Sequence, residues 1–231
     1  MTTPGRDPAG EPTHGALKEL ANDPSSRRRF LKLMGGGIGA ASAFSLFLSA
    51  CGGEDDEAAT SAPETVAATT AEAAASGDLA IVNYALTLEY LEADFYAKVI
   101  DSGLFKGAQL TLIKQIGEHE RQHVDALKGT AEQLGTPAAK PETTFELKDP
   151  MGVLRLAATV ENLGAAAYLG QAGKIQSKEI LGAALAIHTV EARHASALNS
   201  LLGKSPTPDG AFSAPAPMAL VLSKVKPFIV S

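Results

Sequence analysis

Two tetrapeptides in this chain set a carboxylate and an imidazole three residues apart, Glu120-Arg121-Gln122-His123 and Glu191-Ala192-Arg193-His194. On a helix that step places both groups on one face. Two further glutamates, Glu89 and Glu161, are each followed seven residues later by a tyrosine, Tyr96 and Tyr168. Seven residues is two helical turns, so each tyrosine lies on the same face as its glutamate. If the four glutamates converge in a helical core, four negative charges leave water, which is prohibitive without compensation. Two divalent cations would cancel them. Carboxylate and imidazole donors suit iron or manganese, and no thiol competes for a softer metal.

Four helical segments must carry these residues. The first runs from about Asp78, read as its N-cap, to Ser102, with an apolar stripe at Ile81, Ala85, Leu88, Phe95 and Val99. Gly103 to Gly107 breaks it. The second runs from about Ala108 to Leu134, stopped by Gly135 with Pro137 beyond. The third opens at Asp149-Pro150, an N-cap followed by proline in the first turn, and ends near Gly173. The fourth runs from about Ser177 to Leu202 and is closed by Gly203. Short links within each pair make two antiparallel hairpins. Between them, Gly135 to Lys148 could extend for roughly 45 Å, enough to run the length of a helix. The steps from Glu89 to Glu120 and from Glu161 to Glu191 span 31 and 30 residues, and both midpoints fall at hairpin turns. Each hairpin therefore brings its two glutamates level. Glu92 also lies on the apolar stripe and rivals Glu89, but the tyrosine spacing and the turn symmetry favour Glu89. Glu118, His119 and Asp94 read as solvated-face charges and His188 as structural.

A glutamate on each of two helices and Glu-x-x-His on each of the other two resembles the ferritin-like superfamily, over about residues 78–203. Within that span Leu88-Glu89-Tyr90-Leu91-Glu92-Ala93-Asp94-Phe95-Tyr96 is similar to the first-helix signature of exported bacterial ferritin-like domain proteins. The resemblance implies an all-α four-helix bundle with a long crossover between its second and third helices. It implies two iron ions, with manganese the other candidate, held by Glu89, Glu120, His123, Glu161, Glu191 and His194. Glu120 and Glu191 would bridge, and each metal would take one histidine and one terminal glutamate. Tyr96 and Tyr168 would orient the carboxylates by hydrogen bonding.

The remaining sequence reads as address and attachment. Ser26-Arg27-Arg28-Arg29-Phe30-Leu31-Lys32 is similar to the twin-arginine export motif, and Leu48-Ser49-Ala50-Cys51 to a bacterial lipobox. Residues 1–50 are thus expected to be a signal peptide, with Cys51, the chain's one cysteine, acylated and anchored in a membrane. Residues 51–77 are expected to be a flexible tether, since their Ala, Thr, Glu, Ser and Gly bury little apolar surface. Residues 204–231 form a Pro-rich extension with a short apolar piece from Met218 to Val230, a candidate helix packing on the bundle. The formal charge is −6, and no basic footprint for nucleic acid is present. The expected function is a di-metal redox protein at the cell surface, oxidising Fe(II) or reducing peroxide or oxygen. The alternative is a non-enzymatic, stress-associated surface lipoprotein, metal-free or with a structural metal. A homodimer remains open, whereas a closed iron-storage shell suits a tethered, lipid-anchored subunit poorly.

Overall fold

Among the described residues, two helix starts follow from side-chain caps and two stops from glycines. The computed structural model describes residues 64–230, with side chains described from Ala74. The expected signal peptide, the expected acylation site Cys51 and the start of the expected tether lie outside the described residues. Among the described residues five α-helices follow in order: α1 (Glu64–Asp101), α2 (Gly107–Leu134), α3 (Pro150–Ala172), α4 (Lys178–Leu201) and α5 (Met218–Val225), and then a 3-10 turn, Lys226–Phe228. Asp149 caps α3 by accepting from the Gly152 amide, with Pro150 opening the helix. Ser177 caps α4 by accepting from the Ile180 amide. Gly103 and Gly203 take φ of 69° and 68°, the left-handed backbone that ends a helix at little cost only for glycine.

α1 departs from expectation at its start. It begins at Glu64, not near Asp78, so the stretch assigned to the tether is helical from that point. Once a packed helix exists, adding residues needs no new nucleus, and this Ala-rich stretch has good helix propensity as far back as Pro63. Asp78 is consequently not an N-cap of its own helix. Its buried carboxylate accepts the backbone N–H groups of Gln176 and Ser177 at 2.8 Å each, tying α1 to the start of α4.

α1 pairs with α2 and α3 with α4, as two hairpins, and the hairpins meet through α1–α3 and α2–α4 contacts. The crossover between α2 and α3 is pinned along α1. Ala138 N–H donates to Asn83 Oδ1 at 2.7 Å, and Lys98 Nζ donates to Thr143 O at 2.6 Å. Asp94 binds Lys98 at 2.7 Å and Lys140 at 3.3 Å and accepts from the Thr143 hydroxyl. It is a fastener for the crossover and not a solvated-face charge. The crossover then receives the C-terminus, where Thr144 N–H donates to Phe228 O and Val230 N–H to Glu142 O, both at 2.9 Å.

The apolar core falls on both sides of a polar middle layer. One cluster holds Phe95, Val99, Phe105, Ile113, Ile116, Leu154 and Leu198. Another, on the opposite side along the helices, holds Val82, Leu86, Leu127, Ala131 and Ile187. A third seats α5, with Val221 and Val225 packed among Tyr84, Leu88, Leu91 and Val160. The apolar C-terminal piece is therefore a bundle-packing helix. Its approach needs Gly170, where a Cβ would lie 2.0 Å from the Ala216 carbonyl oxygen. Ala216 N–H also donates to Ala166 O at 2.9 Å. Gly170→Ala is expected to cost ~2–3 kcal/mol by overpacking against backbone. Urea denaturation measures this, and an unchanged midpoint would mean that residues 214–217 do not sit on α3.

Candidate metal centre

Each of α1 to α4 contributes a polar interruption to its buried face in one middle layer. On α1 Glu89 falls between Leu86 and Phe95; on α2 Glu120 and His123 fall between Ile116 and Leu127. On α3 Glu161 falls between Ala158 and Ala167, and on α4 Glu191 and His194 fall between Ile187 and Leu198. All four glutamates are 0% exposed. The six side chains meet in one volume.

Their arrangement is two overlapping groups. Glu89, Glu120, His123 and Glu191 can each offer one atom within 4.8 Å of the others, and so can Glu120, Glu161, Glu191 and His194. Glu120 and Glu191 belong to both. His123 Nδ1 lies 3.3 Å from Glu89, 3.1 Å from Glu120 and 3.0 Å from Glu191. His194 Nδ1 lies 2.9 Å from Glu120, 3.2 Å from Glu161 and 4.0 Å from Glu191. Each group therefore contains one histidine, one glutamate of its own and the two shared ones.

The donors for these carboxylates are too few. Glu89 Oε2, Glu120 Oε1 and both oxygens of Glu191 are buried and accept no hydrogen bond, although imidazole nitrogens stand close by. One ring N–H cannot serve three carboxylates, and a buried ionised carboxylate without partners costs several kcal/mol. A cation bonded to several oxygens at once removes that cost. The residues present thus fit a metal: oxygen-rich, with one nitrogen donor per group, buried and convergent.

Electrostatics without a metal reflect the same shortage. Burial pushes the Glu191 carboxyl well above the usual range, and the charges of Glu120, Glu89 and Glu161 push it further. Burial and then Glu161 raise Glu120 to about 7. Burial alone would raise Glu89, but the charge of the His123 imidazole, 3.3 Å from Oε2, outweighs it and holds that carboxyl low. Burial opposes the charged forms of His194 and His123, yet the carboxylates prevail. His194 rises to about 9, and His123 also rises.

The tyrosines reach the glutamates, but not those of their own helices. Tyr96 on α1 donates to Glu161 Oε1 on α3, and Tyr168 on α3 donates to Glu89 Oε1 on α1, each at 2.5 Å. Two helical turns separate each tyrosine from its own glutamate by about 10 Å, beyond hydrogen-bond reach. Because α1 and α3 run antiparallel, the same step lands each hydroxyl beside the other's carboxylate.

Four neighbouring groups complete the picture. Glu92 is also buried, at 2% exposure, but belongs to neither group of four. Its Oε1 lies over Gly164, where a Cβ would sit 3.0 Å away. Burial, followed by the charges of Glu191 and Glu89, holds the Glu92 carboxyl well above its usual range. His188 is structural, with Nδ1 3.0 Å from Ala165 O. His119 departs from expectation: it is not a solvated-face charge, because its Nδ1 lies 2.9 Å from His194 Nε2. The four-residue step from His119 to His123 already placed both on one face of α2. Glu118 does lie toward solvent, paired with Arg121 at 2.8 Å.

A sequence model of the ferritin-like domain matches residues 77–204. The chain belongs to the ferritin-like family. The match begins beside Asp78 and ends beside Gly203, so it spans the two hairpins and the whole polar layer. The ferritin-like bundle thus supplies a buried carboxylate and histidine cluster that could hold a metal ion. A search among curated proteins finds no similar sequence.

Proposed function

We propose that this ferritin-like protein holds two iron ions between its hairpins and uses them to oxidise Fe(II) or to reduce peroxide or oxygen. The observation that carries the reading is the pair of four-residue groups sharing Glu120 and Glu191. Sharing suits two adjacent cations better than two independent ones, since four glutamates match the charge of two divalent ions. Bound there, iron would supply reversible one-electron changes at two adjacent positions, a two-electron capacity in total.

The protein's own groups would do the rest. Glu89 and Glu161 would each serve one ion, oriented by the hydroxyls of Tyr168 and Tyr96. His123 and His194 would give up their Nδ1 protons on loading, so binding would release protons. The apolar clusters on either side would keep bulk water from the carboxylates. The similarity of residues 26–32 to a twin-arginine motif and of residues 48–51 to a lipobox supports a location outside the cytoplasmic membrane, with the bundle tethered through Cys51.

Metal analysis of purified protein grown with iron is expected to return about two ions per chain, and Glu120→Ala to lose at least one. Absence of metal from the wild type after anaerobic iron loading, with Glu120→Ala indistinguishable from it, would end this reading. Oxygen and peroxide consumption by the iron-loaded protein separates an enzyme from a bundle with structural metal only.

A further inference from the structure

One break in the internal symmetry of the site lies just before the shared glutamates. α2 carries His119-Glu120-Arg121-Gln122-His123, whereas α4 carries Val190-Glu191-Ala192-Arg193-His194. His119 reaches across from α2 to the outer nitrogen of His194 on α4, with Nδ1 to Nε2 at 2.9 Å. The two rings are nearly coplanar, 14° apart, with centroids separated by 5.1 Å. A centroid separation so much longer than the nitrogen–nitrogen distance is an edge-to-edge hydrogen bond and not a face-to-face stack. Among the described residues, no side chain or backbone group hydrogen-bonds to the outer nitrogen of His123.

We propose that His119 is a positioning residue that makes the two metal positions unequal, the Glu161–His194 position being the tighter and the first to fill. The inference rests on the di-metal reading above. His194 turns Nδ1 toward Glu120 and Glu161, and to bind a cation that nitrogen must present its lone pair. The ring proton then belongs on Nε2, where His119 Nδ1 accepts it, and the remaining proton of His119 sits on Nε2. One hydrogen bond thus selects the His194 tautomer, fixes the ring plane and raises the basicity of the ligating nitrogen. Among the described residues His123 has no such partner, and at the matching position α4 offers the alkyl group of Val190.

The test is anaerobic titration of the metal-free full chain with Co(II), alongside His119→Phe and His119→Gln. Phenylalanine keeps a flat ring without an acceptor; glutamine keeps an acceptor. Wild type is expected to bind two ions in resolved steps. In His119→Phe the tighter step should weaken by roughly 10–100-fold, the usual cost of losing an outer partner of a ligating histidine. The weaker step should be unchanged, and His119→Gln should recover much of the loss. In Zn(II)-loaded protein, the slowly exchanging His194 Nε2–H proton should give a downfield imidazole resonance that His119→Phe removes. Equal weakening of both steps, no weakening, or an unaltered resonance in His119→Phe would overturn the inference while leaving the di-metal reading standing. Should His119→Phe fail to fold, a tighter step for His119→Gln no stronger than the weaker one would overturn it. No binding of metal by the wild type would instead remove the di-metal reading itself.

Discussion

Glu191→Gln should raise the melting temperature of the metal-free protein and at the same time abolish its ability to hold two metal ions. Glu191 is 0% exposed, and neither of its oxygens accepts a hydrogen bond. Three other carboxylates lie near enough to repel its charge. Without metal, this side chain pays a penalty either by keeping its proton or by ionising out of water. Glutamine has nearly the same shape, carries no charge and brings a donor toward Glu120. Replacement of buried ionic groups by neutral ones of similar volume is often neutral or stabilising, by up to about 1–4 kcal/mol. At 2–4 °C per kcal/mol for a domain of roughly this size, a rise of about 5 °C is expected. The amide is a poor bridging ligand, so metal stoichiometry should fall from about two to at most one. Calorimetric melting of the metal-free protein and metal titration measure the two effects. A fall in melting temperature with full metal binding would show that Glu191 is a structural acceptor and not a ligand. The opposed signs are the cost of a preformed site, in which fold stability is sacrificed to an arrangement that only a cation satisfies.

Metal loading should itself raise the melting temperature by roughly 20 °C. A ligand at a thousand times its Kd contributes about 4 kcal/mol, so two ions contribute about 8, and the same conversion applies. The increment should grow from pH 6 to pH 8, as follows from the signs of the shifts in the metal-free fold. Glu120, raised from 4.5 to about 7, binds more proton folded than unfolded across that interval, and Glu191 and Glu92 are raised as well. Their stabilising protonation is fully present below about 4.5 and is lost as pH climbs through the raised values. His194, raised from 6.5 to about 9, and His123, also raised, contribute fully below 6.5 and lose that contribution at higher pH. His119, lowered by burial from 6.5 to about 4, acts in the opposite sense near pH 6, whereas Glu89, lowered from 4.5, changes little across this interval. The metal-free protein should therefore weaken as pH rises, while cations replace the departing protons more readily. Melting curves with and without metal at pH 6, 7 and 8 test this. A metal increment that shrinks with pH, or a metal-free form most stable at pH 8, contradicts the assignment of these groups.

Much of this arrangement could be read before any tertiary contact was known. Helical rise is constant, so equal steps about the two hairpin turns place Glu89 level with Glu120 and Glu161 level with Glu191 wherever the hairpins go. Asp149-Pro150, Ser177 and Gly203 end or begin helices by local hydrogen bonding and backbone preference, which need no distant partner. The beginning of α1 escaped the same treatment. Gly77 and Asp78 look like a boundary, yet a helix already held by packing extends through weak breakers.

Spacing within a helix determined which residues share a face and a height; only the packing of one hairpin on the other decided what each face meets. That is why Tyr96 serves Glu161 and Tyr168 serves Glu89. For the same reason Asp78 holds the turn before α4, Asp94 clasps the crossover, and His119 leans on His194. A local rule fixes angles and rises along one helix axis, whereas a partner across the bundle depends on the relative placement of two axes, which burial of the whole apolar surface sets.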